Sequence, residues 1–164
     1  MKRSNNNYSV EMAELSMVMH VAKNMRPEDE QELLATFGQS AKSSVILRQC
    51  WLVSRNTTFA GTFKGEPICV FGLKVPSMLG RVAIPWLVGT RAMSLHSRQF
   101  LRVSRQVVQL WSREFPVMEN YVDARNHDAI RWLQWLGFSV YFPQPFGPDD
   151  MPFHRFDMRS SEDV

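Results

Sequence analysis

Residues 120–141 read NYVDARNHDAIRWLQWLGFSVY, and this run spells a strand, a helix cap, an amphipathic helix, a glycine stop and a second strand. Tyr121 and Val122 lie in an alternation that suits a half-buried strand. Asn126 carries a short acceptor side chain of the kind that takes a hydrogen bond from the first free N–H groups of a helix. Ala129, Trp132, Leu133 and Leu136 then fall at i, i+3, i+4 and i+7, one apolar stripe down a helix. Gly137 stands where the chain must leave right-handed geometry, and Phe138, Val140 and Tyr141 restart an extended run.

Upstream of this unit, residues 94–115 predict a long helix. Phe100, Val103, Val107, Leu110 and Trp111 cover one side, and Arg98, Arg102 and Arg105 stack on the other. That stripe is the one organised positive feature, and a solvated face explains it more simply than a ligand does. Arg98 stands apart because it falls in the first turn, where a cation and free N–H groups together suit a phosphate. Residues 82–89 form a nearly continuous apolar strand, which predicts a central position. Pro85 within it removes a ladder donor and predicts a bulge or break. Residues 57–63 and 67–74 alternate with period two around Lys64-Gly65-Glu66, a hairpin pattern.

Nearer the N-terminus the period is helical. Leu15, Val18, Met19 and Ala22 share a face in a helix beginning near Glu11 and ending at Arg26-Pro27. Pro27 opens a second helix with Glu28, Asp29 and Glu30 at its positive end, Leu33, Leu34 and Phe37 inward, and Gly38 as its stop. Residues 40–53 give a third, with Val45, Ile46 and Cys50 inward. A short strand is expected around Tyr8 to Met12, a loop at Pro143, Pro145, Gly147 and Pro148, and a last strand at 153–158. Residues 1–7 and 159–164 read as flexible tails of a single domain spanning 1–164. Helices, an antiparallel hairpin, then alternating strand and helix make an α+β arrangement.

Composition limits the function classes. At 164 residues, 45 % apolar and 21 % charged, the chain can bury a core and is not disordered. A formal charge of +3 does not demand a nucleic-acid partner. Cys50 and Cys69 sit in apolar surroundings, as buried free thiols do, and suit a reducing compartment. His20, His96, His127 and His154 lack ligand spacing, so no metal is expected. No signal core or bilayer-length apolar run is present, so a soluble protein is expected.

The pattern Val122, Asn126, Ala129, an apolar helix face and Gly137-Phe138 resembles the C-terminal half of the GNAT family of N-acyltransferases. The resemblance implies a mostly antiparallel mixed sheet flanked by helices, with a splayed strand pair that admits acyl-coenzyme A. The stretch 86–138 with the closing Pro152-Phe153-His154-Arg155-Phe156 is also similar to a phage protein family typified by internal virion protein A of short-tailed phages. That resemblance implies a protein of the virion or host cytoplasm with phage or host proteins as partners.

Two chemical elements of an acyltransferase are missing. The glycine-rich turn that cradles the coenzyme A diphosphate corresponds here to residues 89–98, GTRAMSLHSR, without paired glycines. The family's proton-donating tyrosine, seven residues after the asparagine, corresponds to Leu133. Catalysis is therefore not expected and no cofactor is expected. The alternative is an acetyl-CoA-dependent N-acetyltransferase whose divergent site uses Val88, Ser94, Ser97, Arg98 and Asn126 to bind, with Tyr121 or Tyr141 as substitute acid. A third reading is a regulatory module whose arginine stripe grips an acidic protein or nucleic acid. Asp123, Arg125, His127 and Asp128 form an acid–base cluster on paper, though Asp128 complementing the helix dipole and Arg125 solvated is the simpler account.

Overall fold

The structure is a computed structural model that describes residues 7–77 and 79–160. Seven strands form one sheet in the order β1-β2-β3-β4-β5-β7-β6, where β1 is Tyr8–Met12, β2 Thr58–Phe63, β3 Glu66–Lys74, β4 Val82–Gly89, β5 Val117–Asp123, β6 Ser139–Phe146 and β7 Met151–Arg159. Every neighbouring pair is antiparallel except β4 with β5, which run parallel. Five α-helices flank the sheet: α1 Leu15–Lys23, α2 Pro27–Phe37, α3 Ser43–Val53, α4 Ser97–Glu114 and α5 His127–Leu136.

The two faces are covered by different parts of the chain. Val18, Val21, Leu47 and Trp51 from α1 and α3 pack on Ala60, Val70 and Val88 of one face. Val108 of α4 and Leu133 of α5 pack with Leu73, Met118, Val122 and Phe156 on the other. Local signals set the connections. Lys64 and Gly65 both take positive φ, the backbone of the tightest hairpin turns, and Gly137 ends α5 in left-handed geometry at φ 102°.

Several inward faces differ from those expected by period alone. In α1 the buried residues are Val18 and Val21, and Leu15 and Met19 are exposed, because residues 11 and 12 belong to β1 and the helix starts at Leu15. In α2 Ala35 and Asp29 are buried and Phe37 is exposed. In α3 Ile46, Leu47 and Trp51 are buried and Val45 is exposed. Pro143 and Pro145 lie within β6 and not in a loop. β6 is an edge strand, so a missing N–H that faces solvent costs no ladder bond. Residues 1–6 and 161–164 fall outside the described residues. Asn7 accepts from Lys64 N–H, Arg159 pairs with Val117, and Ser160 donates to Pro116, so these three are tied to the sheet and not free tails. Among the described residues no helix is long and apolar enough to cross a membrane.

Candidate functional site

β4 and β5 pair only at Val82 with Val117 and Ala83 with Met118. Beyond that they diverge, and Pro85 explains where. Its carbonyl accepts from Asn120 Nδ2 of β5 at 2.9 Å, so its backbone faces β5, and its ring removes the donor that the next ladder bond would need. Register between β3 and β4 runs unbroken from Cys69–Gly89 to Lys74–Ile84. The expected bulge is therefore absent, and the proline breaks the pairing with β5 alone.

The open edges are finished by side chains. Asn120 Oδ1 accepts from Tyr121 N–H at 2.8 Å. At the wide end, helix α2 laces the two strands through acids one turn apart. Asp29 Oδ2 takes Gly89 N–H of β4 at 2.7 Å, and Arg26 N–H donates to Gly89 O at 2.9 Å. Glu32 Oε2 takes Asp123 N–H of β5 at 3.1 Å and Asn126 Nδ2 at 3.3 Å. Strand alternation turns Leu87, midway between Pro85 and Gly89, with its N–H and C=O to the gap. Its N–H is the donor the edge offers to a ligand.

Beside these closures lies a cavity of about 1410 Å³ that is lined by residues from both faces of the sheet, the β4–β5 gap among them. Ile84–Val88 and 120–122 form its walls. Leu33, Phe37, Val45 and Ile46 line the α2–α3 side, and Met93, Phe100, Val107 and Trp132 line the α4–α5 side. Asn120 spans the hinge of this opening with both ends of its amide. Asn120→Ala should lower unfolding free energy in urea by about 1–2 kcal/mol, since water in the open slot replaces only part of what two backbone groups lose. A change below about 0.5 kcal/mol would mean that the amide does not hold the splay.

The charges at the wide end have distinct states. Arg26 and Asp29 form a buried pair, Nη2 to Oδ1 at 2.6 Å and Nε to Oδ2 at 3.1 Å. Burial disfavours the Arg26 cation, yet the Asp29 hydrogen bonds raise its pKa overall. Asp123 is buried. Desolvation alone would raise its pKa, but two hydrogen bonds from the Arg125 guanidinium and one from Arg125 N–H bring it below the usual carboxylate value. Arg125 is thus held by Asp123 and not simply solvated, and Asp128 is paired with Arg131. Glu32 is different. Among the described residues it has no ion-pair partner, and burial, with Asp29 and Asp123 nearby, pushes its carboxyl up to about 7. Both its hydrogen bonds fall on Oε2, so Oε1 keeps its acceptor capacity. A carboxyl that titrates near neutrality beside an open slot is suited to accept a proton from a substrate.

The fold brings Val88, Ser94, Ser97, Tyr121 and Asn126 to the cavity wall. Asn126 is occupied by Ala129 N–H at 3.4 Å, as its capping position implied, and by Glu32. Tyr121 stacks on Phe146, and its hydroxyl accepts from Gln144 at 3.5 Å. Tyr141 lies away from the cavity and donates to Asp157 at 3.0 Å. Arg98 also lies off it, in a shallow surface hollow with Arg102, Arg105 and Trp135, while Arg102 borders both. His154 Nδ1 meets Tyr141 O at 2.7 Å. Cys69 is buried with its thiol pushed up to about 12, and burial also raises Cys50, so neither is a ready nucleophile. Among the described residues no cluster suits a metal.

Sequence reading missed Glu32 and the role of Asp29. Their spacing of i, i+3 was visible, but Asp29 sat in an acidic first turn that the helix dipole explained.

The turn before α4 is packed and carries no paired glycines. Residues Arg91–His96 form a 3₁₀ helix, whose hydrogen bonds run within the segment. Met93 is buried against Gly89, and His96 bonds the Tyr8 hydroxyl and packs on Phe63. α4 consequently starts at Ser97 and not at 94. The residues fit the arm of an acyl thioester and do not fit backbone binding of its diphosphate.

No protein-family model matches the chain, and no curated protein matches it. Solved structures do. A ribosomal-protein-alanine N-acetyltransferase from Brucella melitensis superposes with TM-score 0.68 at 11 % identity, covering 93 % of this chain and 99 % of that one. A GCN5-related N-acetyltransferase from Kribbella flavida gives 0.65 at 15 %, covering 96 % and 100 %. The yncA protein of Salmonella typhimurium, solved with its cofactor acetyl-CoA, gives 0.60 at 12 %, covering 97 % and 98 %. At these identities the likeness is one of architecture, and the chain has the fold of the GNAT N-acetyltransferases.

Proposed function

We propose that this protein transfers an acyl group from a thioester to an amine, as a divergent member of the acyltransferase architecture. The observation that carries the reading is the gap between β4 and β5 beyond Ala83–Met118, lined from both faces of the sheet, with Glu32 at its wide end. The acyl thioester, acetyl-CoA or a longer acyl-CoA, is a substrate whose arm enters from the α4 side. Leu87 N–H is placed to hydrogen-bond the carbonyl oxygen as it gains charge. The amine enters from the α2–α3 side. Its nitrogen forms a bond to the carbonyl carbon, the C–S bond breaks and the sulfur leaves with the electron pair. Glu32 Oε1 takes the ammonium proton, and water protonates the thiolate, because Leu133 supplies no acid. With no glycine turn, Ser97 and Arg102 are the side chains on the wall suited to an anionic donor tail.

Incubating the chain with acetyl- and longer acyl-CoA and a panel of amines, and following free thiol, tests this. Amine-dependent thiol release above the protein-free rate is expected, and its absence with every pair overturns the reading.

A second reading is favoured by the packed 3₁₀ helix and by Leu133. Under it the chain has lost catalysis and acts by contact with other proteins; its placement in a phage, with virion or host proteins as partners in assembly or genome delivery, rests on the sequence resemblance alone. Arg98, Arg102 and Arg105 then form its contact face for an acidic partner. No thiol release, with recovery of the chain in virions, would favour this reading.

A further inference from the structure

The α2–α3 mouth of the slot has a composition that selects among amines. Its aromatic wall is Trp86, Tyr121 and Phe146, the last two stacked with ring centroids 4.2 Å apart. Facing it, Phe37, Val45 and Val53 are 56 %, 54 % and 59 % exposed while lining the same cavity. Large apolar side chains held open to water on a concave wall lower their free energy when an apolar body covers them.

The charge on that wall is as selective as its surface. Of the acids that line the cavity, Asp29 is spent on Arg26 and Asp128 is paired with Arg131. Glu32 is the one lining acid with no ion-pair partner among the described residues. Lys74 also lines the cavity, paired in register with Ile84 at the narrow end. Gly89, beside Asp29, is five residues further along β4, roughly 16 Å away. A ligand with one amino group finds one acid. A ligand with a second cation further along finds no second acid and approaches Lys74.

We propose that the acceptor is a monoamine carrying a bulky apolar group, aromatic or branched aliphatic, next to its nitrogen, and not a polyamine or amino sugar. This rests on the acyl-transfer reading for the chemistry, though not for the binding. The apolar body lies between the aromatic wall and the Phe37–Val45–Val53 side, and its nitrogen reaches Glu32.

Calorimetry on the full chain with 2-phenylethylamine, tryptamine and spermidine at pH 8 tests it. The two aromatic amines should bind at least tenfold more tightly than spermidine. Val45→Asp places a charge on the apolar wall at an exposed helix position, where folding is little affected, and should weaken aromatic-amine binding at least fivefold. Spermidine binding as tightly as the aromatic amines, no amine binding at all, or an unaltered Val45→Asp variant each overturns the inference. If aromatic amines bind yet accept no acyl group from any thioester, the binding inference stands and the proposed reaction falls.

Discussion

On the proposed reaction, Glu32→Gln should lower acyl transfer by about 10²–10⁴-fold, the range expected when a positioned base is removed. The substitution keeps an oxygen for Asp123 N–H, so the wide end of the slot retains its backbone closure. The pH profile separates a base from a structural acceptor. With the Glu32 carboxyl near 7, kcat/KM of the native chain, expressed per neutral amine, should rise about tenfold per pH unit below that value and level above it. The Gln variant should lack this limb. Stability gives an independent readout with its own sign. The folded pKa stands above the ordinary 4.5, so between these values the folded state binds more proton than the unfolded state, and stability falls as pH rises. Above pH 7 the charged carboxylate is held at full cost near Asp29 and Asp123, only partly offset by its two hydrogen bonds and the nearby Arg125. Glu32→Gln should therefore be more stable than the native chain at pH 8 by about 1–3 kcal/mol and show little difference at pH 4.5. A variant that keeps full activity, or loses stability at pH 8, removes Glu32 from the role of base.

Asp29→Ala is expected to cost about 3–5 kcal/mol, enough to unfold a marginal domain. The Arg26 side chain is 14 % exposed and Asp29 6 %, so removing the acid leaves a guanidinium without its partner in a poorly hydrated place. Gly89 N–H loses its acceptor in the same step. Asp29→Asn retains that acceptor and should cost clearly less than the alanine change. Replacing both partners, Arg26→Met with Asp29→Leu, should also be milder than Asp29→Ala, because no charge is stranded. Urea unfolding of the four proteins decides this. Equal losses in the single alanine and double variants would show that the ion pair, and not the stranded cation, carries the energy.

How far the sequence disclosed the site depended on the range of the forces involved. The cap at Asn126, the stripe through Leu133 and the stop at Gly137 were legible because each is settled within about four residues. Pro85 was legible as an interruption, though which neighbouring strand loses its donor depends on which edge the carbonyl faces. The lack of paired glycines in Arg91–His96 was also readable. Faces were read less well where a helix meets more than one neighbour. Phe37 and Val45 matched an inward period but line a cavity, and Asp29 matched a solvated turn but is buried.

By itself, the amino-acid order determined the kinds and order of the main elements and the α+β class, because propensity, capping and periodicity act along neighbouring residues. The tertiary structure alone decided that α2 sets Asp29 on β4 and Glu32 on β5, with Glu32 lacking an ion-pair partner among the described residues. Residues 32 and 123 are ninety-one positions apart. The desolvation that moves a carboxyl toward neutrality comes from groups that only folding places around it.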